Sequence, residues 1–304
     1  MPDAPATPLE PAPPALAARA DVWLKREDVH ELGAFKWRGA VPTLDAFRAR
    51  GAREVVTAST GNHGAATAWA AARAGLRATV FAPVGASRAK LAIVEGLGAE
   101  VREVGRDLDE AKDLARAHAA ASGAVFFEDG AEPTQFAGYA AIARELVAQL
   151  GRPPAAVLVP VGNGALLAGV GGALRRLAPS AERVGVAAKE APVMALSHAA
   201  GRVVESDRSD TFADGLAVRV AIPLAVEELA TAASRFLLVS ERAIAQAVGA
   251  YARAGLRVEG SGAATLAALD QLDVDGPVVL VVTGRNIDDD LLARACDVPE
   301  SFPD

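Results

Sequence analysis

A lysine set between two aromatics, Phe35-Lys36-Trp37, follows a Gly-bearing loop, Glu31 to Ala34, and a short alternating stretch, Asp21 to Lys25. An amine held among aromatics is a candidate nucleophile, because desolvation favours the unprotonated form that Schiff-base chemistry requires. The same spacing fits a lysine that lays its stem on apolar surface and keeps its head in water. A second stretch, Ser59 to Gly64 (STGNHG), lies between a predicted strand and a predicted helix. Backbone donors and the helix dipole there point at an anion, unless the stretch is only a capped helix start. A third, Val161 to Gly169 (VGNGALLAG), puts Gly162 and Gly164 at another strand-to-helix turn, where small residues let amides approach a phosphate. A tight turn without a ligand is the plainer alternative. A dinucleotide fingerprint fails here, since its third glycine falls on Leu167 and the next strand ends in Ala187 and Ala188 with no acid.

The elements that must position these residues follow from pattern. Strand-like runs at 53–59, 78–84, 99–105, 124–129, 155–161, 182–188, 236–240 and 277–284 alternate with helical runs, which predicts parallel sheets covered by helices. The first helix is expected from Phe35 to about Arg50, with Pro42 opening a new turn. Others are expected at 65–75, 87–98, 107–121, 134–150, after Gly164 to about Leu177, and at 192–200, 223–233, 240–254 and 261–272. Residues 200–223 read as loop.

Composition narrows the function classes. At 304 residues with 51% apolar content, the chain is long enough for two lobes around substantial cores. A formal net charge of -7 disfavours a nucleic-acid partner. The Pro- and Ala-rich opening lacks the basic start and apolar core of a signal peptide, and no run reaches the ~20 apolar residues of a membrane span. One cysteine, Cys296, excludes an internal disulfide and suits a reducing cytoplasm; beside Leu291, Leu292 and Ala293 it reads as a packed core thiol.

KREDVHELGAFKWRGA resembles the Schiff-base segment of the fold type II pyridoxal-phosphate enzymes, in particular the threonine/serine dehydratase and serine racemase group. The family pattern is K-x-E-x-x-x-x-x-G-S-F-K-x-R-G-A, and Ala34 replaces its serine. The resemblance extends in order through Thr7-Pro8-Leu9, STGNHG, VGNGALLAG, TFADGLAV from Thr211, EGSGAATLAA from Glu259 and VVTGRNID from Val281. It implies a tryptophan synthase β-like α/β fold of two lobes, each a mostly parallel twisted sheet flanked by helices. Residues 41–143 would form a small mobile domain, and 1–40 with 144–304 a large cofactor-binding domain. It further implies pyridoxal 5'-phosphate bound through Lys36, Phe35, Asn62, Gly162, Asn163, Gly164, Ala165, Leu166 and Thr283. The substrate carboxylate would meet Ser59, Thr60, Gly61, Asn62 and His63, although His63 by itself reads as a structural, hydrogen-bonded ring. Lys36 and Thr60 would be catalytic, Glu259 a possible active-site acid, and no metal is expected because Ala187 replaces the racemases' metal-binding Glu.

The implied reaction is β-elimination from a β-hydroxy amino acid such as L-threonine or L-serine, giving a 2-oxo acid and ammonia. A hydroxyl at Thr283 cannot hold the pyridine nitrogen protonated as a carboxylate would, so the ring is a weaker electron sink, which suits elimination over transamination. Thr60 leaves racemisation open, as do the departures at Ala34, Asn163 and Arg285, which also leave a bulkier β-hydroxy substrate open. A non-catalytic, nucleotide-binding doubly wound domain is the alternative of another class. Members of the family usually form homodimers. At this length no additional C-terminal regulatory domain, and so no feedback control by an end-product amino acid, is expected.

Overall fold

The computed structural model describes residues 6–17, 21–206 and 209–304. Positions 1–5 and 18–20 of the expected large domain, and 207–208 of the expected loop, lie outside the described residues. The chain divides into a larger unit, Met1–Phe35 with Tyr139–Asp304, and a smaller unit, Lys36–Gly138.

In the smaller unit, α1 (Trp37–Ala49), β3 (Glu54–Ala58), α2 (Asn62–Ala74), β4 (Arg77–Ala82), α3 (Arg88–Gly96), β5 (Glu100–Glu103), α4 (Leu108–Ser122) and β6 (Val125–Phe126) precede the start of α5 (Pro133–Leu150). Its sheet has the order β5-β4-β3-β6, all parallel. The helices carry the expected stops. Asp107 caps α4 by accepting from the Glu110 amide, and Gly123 closes it at φ 75°.

The larger unit contains β1 (Leu9–Pro11), β2 (Val22–Arg26), the rest of α5, β7 (Ala156–Pro160), α6 (Ala165–Leu177), β8 (Glu182–Ala188), α7 (Val193–Ala200), α8 (Pro223–Ala232), β9 (Arg235–Val239), α9 (Glu241–Arg253), α10 (Gly260–Ala267), β10 (Val278–Val282) and α11 (Asp289–Asp297). Its sheet runs β1-β2-β10-β7-β8-β9, parallel except for the β1 edge. Strand β10 buries all five of its aliphatic side chains, each stabilising by about 1.5–3 kcal/mol. Continuous apolar strands of this kind belong inside a sheet covered on both faces, and β10 and β7 are placed there.

Some expectations change. Helix α1 starts at Trp37 and passes unbroken through Pro42. Proline removes the amide that would bond the Arg38 carbonyl. Gly138 of α5 packs against that carbonyl so closely that a Cβ would lie 2.0 Å from it. Helix α2 starts three residues earlier than its alanine run, so Asn62, His63 and Gly64 of STGNHG form its first turn. Helix α10 ends at Ala267 and hands over to a 3-10 turn at Leu269–Gln271. Strand β1 was not signalled, because its pairing with β2 is non-local. Cys296 is half-buried on α11 rather than inside the core.

Candidate functional site

Both lysines of the motif from Lys25 onward are tied down, in different ways. Lys25 on β2 is fully buried, and its ammonium donates to the Thr7 carbonyl and Glu145, both at 2.6 Å, and to Gln149 at 3.2 Å. Such a saturated cation is structural. Lys36 stands at the N-terminus of α1, and its ammonium pairs with the carboxylate of Asp129.

Asp129 follows β6. Because β6 pairs in register with β3, through Val55 opposite Val125 and Val56 opposite Phe126, the loops after both strands emerge side by side. One loop carries Asp129 and the other carries STGNHG. Asp129 Oδ1 accepts from Gln135 Nε2 at 3.1 Å, and Gln135, itself fully buried, accepts the Gly130 amide at 2.8 Å. His63 Nδ1 lies 3.6 Å from the same Oδ1. Burial pushes the Asp129 carboxyl up, but the Lys36 ammonium, helped by the Gln135 hydrogen bond, outweighs it and holds the group well below the usual carboxylate range. Burial also lowers the basicity of His63, against the opposing pull of Asp129.

Within STGNHG, Ser59 Oγ accepts from the amides of Gly61 at 3.2 Å and Gly64 at 3.0 Å, which leaves its hydroxyl proton to donate elsewhere. A Cβ on Gly64 would press on Val80 and Ser59, whereas one on Gly61 would meet nothing within 4 Å. The turn is closed toward the sheet and open over Gly61. Thr60, Gly61 and Asn62 are half-buried there, while the His63 ring packs on Phe127 with centroids 4.7 Å apart.

The larger unit holds the remaining expected residues. The Phe35 amide donates to the Thr283 carbonyl at 3.1 Å, and its ring lies 5.1 Å from that of Tyr139. Residues 28–35 are stitched to the end of β10. Ala34 bridges Gly284, the Arg285 amide donates to the Gly33 carbonyl at 2.9 Å, Asn286 Nδ2 donates to the Leu32 carbonyl at 2.8 Å, and the Arg285 guanidinium donates to the Asp28 carbonyl. Arg285, unexplained in the motif, is therefore a clamp on the segment that delivers Lys36. Thr283 Oγ1 is buried and has no hydrogen-bond partner among the described residues. Glu259 is 4% exposed; its amide donates to the Gly284 carbonyl at 3.0 Å, and a Cβ on Gly284 would meet its carboxylate at 2.5 Å.

In the glycine loop before α6, a Cβ on Gly162 would lie 2.1 Å from the Gly215 carbonyl, and Gly164 adopts φ 89°. Only glycine follows that path. Asn163 Oδ1 accepts the Ala165 amide at 3.1 Å, closing the turn on itself and leaving Leu166 as the next residue of the helix start. Each element fits pyridoxal phosphate. In the larger unit, Thr283 is an orphaned buried hydroxyl of the kind a ring nitrogen would satisfy and the glycine loop is of the kind that would take an anion at a helix N-terminus; in the smaller unit, Lys36 carries an amine of the kind an aldehyde would take.

Sequence reasoning missed Asp129 and Gln135, whose relevance depends on strand order. The available signal was an acid just past the end of a parallel strand, where α/β sheets place their ligands. Among the described residues, no group of His, Cys, Asp or Glu could hold a metal ion, and no helix is long and apolar enough to cross a membrane.

A family model described as pyridoxal-phosphate dependent enzyme matches residues 2–284. The L-threonine ammonia-lyase of Geobacter sulfurreducens is 36% identical over 88% of this chain and 67% of its own length. That of Thermotoga maritima is 34% identical over 90% and 69%. Among solved structures, the processed form of threonine deaminase isoform 2 from Solanum lycopersicum superposes with a TM-score of 0.89 at 29% identity, covering 95% of this chain and 87% of that one. Maize serine racemase superposes with a TM-score of 0.88 at 26% identity, covering 95% and 91%.

Proposed function

The chain belongs to the family of pyridoxal-phosphate dependent enzymes, and we propose that it removes the β-hydroxyl and the α-amino group from a β-hydroxy amino acid such as L-threonine or L-serine, yielding a 2-oxo acid and ammonia. The observation that carries this reading is the buried, unpartnered hydroxyl of Thr283. When bound, pyridoxal phosphate supplies an aldehyde for imine formation and an electron sink for the pair left at Cα. A neutral hydroxyl at the ring nitrogen moderates that sink, which suits loss of a β-hydroxyl over transamination.

The chain's own residues divide the remaining work. Lys36 offers the amine for the cofactor and takes the proton from the substrate Cα. Gly162, Asn163, Gly164, Ala165 and Leu166 would hold the phosphate, and Phe35 and Asn62 would bind the rest of the cofactor. Ser59, Thr60, Gly61, Asn62 and His63 form the substrate carboxylate loop, in which the spare Ser59 hydroxyl proton is a ready donor. Glu259 is the candidate active-site acid. A homodimer in the cytoplasm, with residues 41–143 as the smaller mobile domain, completes the reading; light scattering of the purified chain that gives a monomer would remove the dimer.

Lys36→Ala should abolish both the imine absorbance and 2-oxo acid production. Survival of either in the purified variant rejects the mechanism. Racemisation is the second reading, favoured by the Thr60 hydroxyl beside the carboxylate loop. Chiral analysis of serine and threonine after incubation separates the two, because elimination alone leaves no D-isomer.

A further inference from the structure

The Lys36 ammonium seen in the ion pair and the reaction assigned to Lys36 stand in tension. A fully protonated amine has no lone pair with which to attack a carbonyl, and after taking a proton from Cα it must release it again. The route for that proton is written in the contacts of Asp129. Oδ2 takes Lys36; Oδ1 takes Gln135 and faces His63 Nδ1 at 3.6 Å. On the far side of the ring, the Thr57 hydroxyl donates to the Phe127 carbonyl at 2.7 Å, so its oxygen accepts from His63 Nε2 at 3.0 Å. The Phe127 carbonyl, 3.5 Å from the same nitrogen, is an acceptor too. Nε2 therefore carries the ring proton, and in the neutral ring Nδ1 turns its lone pair toward the carboxylate. Burial disfavours the imidazolium, Asp129 favours it, and the Lys36 cation opposes it; Lys112, itself 3.5 Å from Glu128, is the other cation the ring feels.

We infer that Lys36, Asp129 and His63 form a proton-exchange triad in which His63 Nδ1 takes the proton that Lys36 releases, by way of the Asp129 carboxylate. An N–H bond of Lys36 breaks as an O–H bond forms at Asp129 Oδ2; the carboxylic acid then turns about its Cβ–Cγ bond to bring that O–H to His63 Nδ1, where the O–H bond breaks and an N–H bond forms. Ammonium, carboxylate and neutral imidazole become neutral amine, carboxylate and imidazolium. The net charge stays at zero and one buried ion pair replaces another, so no uncompensated charge arises. The purpose of the triad rests on the reading of Lys36 as the imine-forming amine, but its charge balance does not. His63 is then a positioning residue that acts through Asp129.

The test uses the full chain stripped of cofactor, with its four histidines labelled with 15N. His63→Gln identifies the resonance. At neutral pH, His63 is expected to be protonated at Nε2 and unprotonated at Nδ1. Lys36→Met, or Lys36→Gln should the first variant not fold, removes the cation and is expected to move Nδ1 to the protonated position. Adding Asp129→Asn should move it back. An unprotonated Nε2 in the starting chain, or an Nδ1 that stays unprotonated without Lys36, overturns the inference. In a second measurement, pyridoxal phosphate is added to the stripped chain and the rise of imine absorbance is timed. His63→Gln should slow the rise by at least about tenfold without changing its final amplitude, and an unchanged rate also overturns the triad. If the unaltered chain gives no imine absorbance at all, the functional reading fails, while the nitrogen resonances still decide the triad.

Discussion

Around Lys36 the smaller unit gathers an ammonium, a carboxylate and an imidazole, held by side chains of β3, α5 and the loop after β6. Around Gly162 and Thr283 the larger unit offers mostly backbone, one uncharged hydroxyl, and glycines packed too closely for a methyl group. The difference teaches where each half is fragile. The charged half keeps its shape when a polar atom is exchanged but changes its chemistry. The glycine half tolerates loss of a polar atom and fails on gain of a carbon.

Gly162→Ala should give the largest effect, since its Cβ would lie 2.1 Å from the Gly215 carbonyl, a backbone atom that cannot swing aside. A loss of about 3 kcal/mol in denaturant unfolding, with loss of cofactor retention, is expected; a variant as stable as the parent would show that the glycine half is not tight. Thr283→Val keeps volume and deletes a hydroxyl that has no partner among the described residues. Stability should change by less than about 1 kcal/mol. Turnover should fall by about tenfold, the expected cost of one hydrogen bond if that hydroxyl holds the cofactor. Unchanged turnover in steady-state assays would take Thr283 out of the site.

Arg285→Gly deletes the guanidinium that grips the Asp28 carbonyl. A cost of about 1 kcal/mol is expected, with proteolytic nicking in residues 28–33 as the sharper readout. The smallest effect belongs to pH. Asp129 has a folded-state affinity for protons below its unfolded one, so its contribution to stability is complete above the ordinary carboxylate range and fades as pH falls below it. Asp129→Asn should lack that portion. The gap between the two unfolding curves therefore narrows as the pH falls through acid, and a gap independent of pH would mean the carboxylate is not stabilised by Lys36.

The element pattern was legible because period and punctuation are local. β7 and β10 are uninterrupted aliphatic runs, α4 has Asp107 and Gly123 at its ends, and β8 spans the residues expected of it. Boundaries slipped where a distant partner intervened. Pro42 stays within α1 because Gly138 packs on the carbonyl it frees, and α2 begins early because Ser59 holds its first amides.

Lys36 was singled out from its neighbours along the chain, and the anion cradles at 59–64 and 162–166 from residue type and their place between strand and helix, while the cofactor and the role of Thr283 followed from the resemblance of the ordered motifs to the pyridoxal-phosphate enzymes. The partners of that amine were decided only by tertiary structure. Asp129 reaches Lys36 across 93 positions of chain, through the register of β6 on β3, and the His63 tautomer depends on a hydroxyl and a carbonyl from those same two strands and their exits. Electrostatic partnership falls off with distance in space and not along the sequence, so no spacing rule could have named the carboxylate.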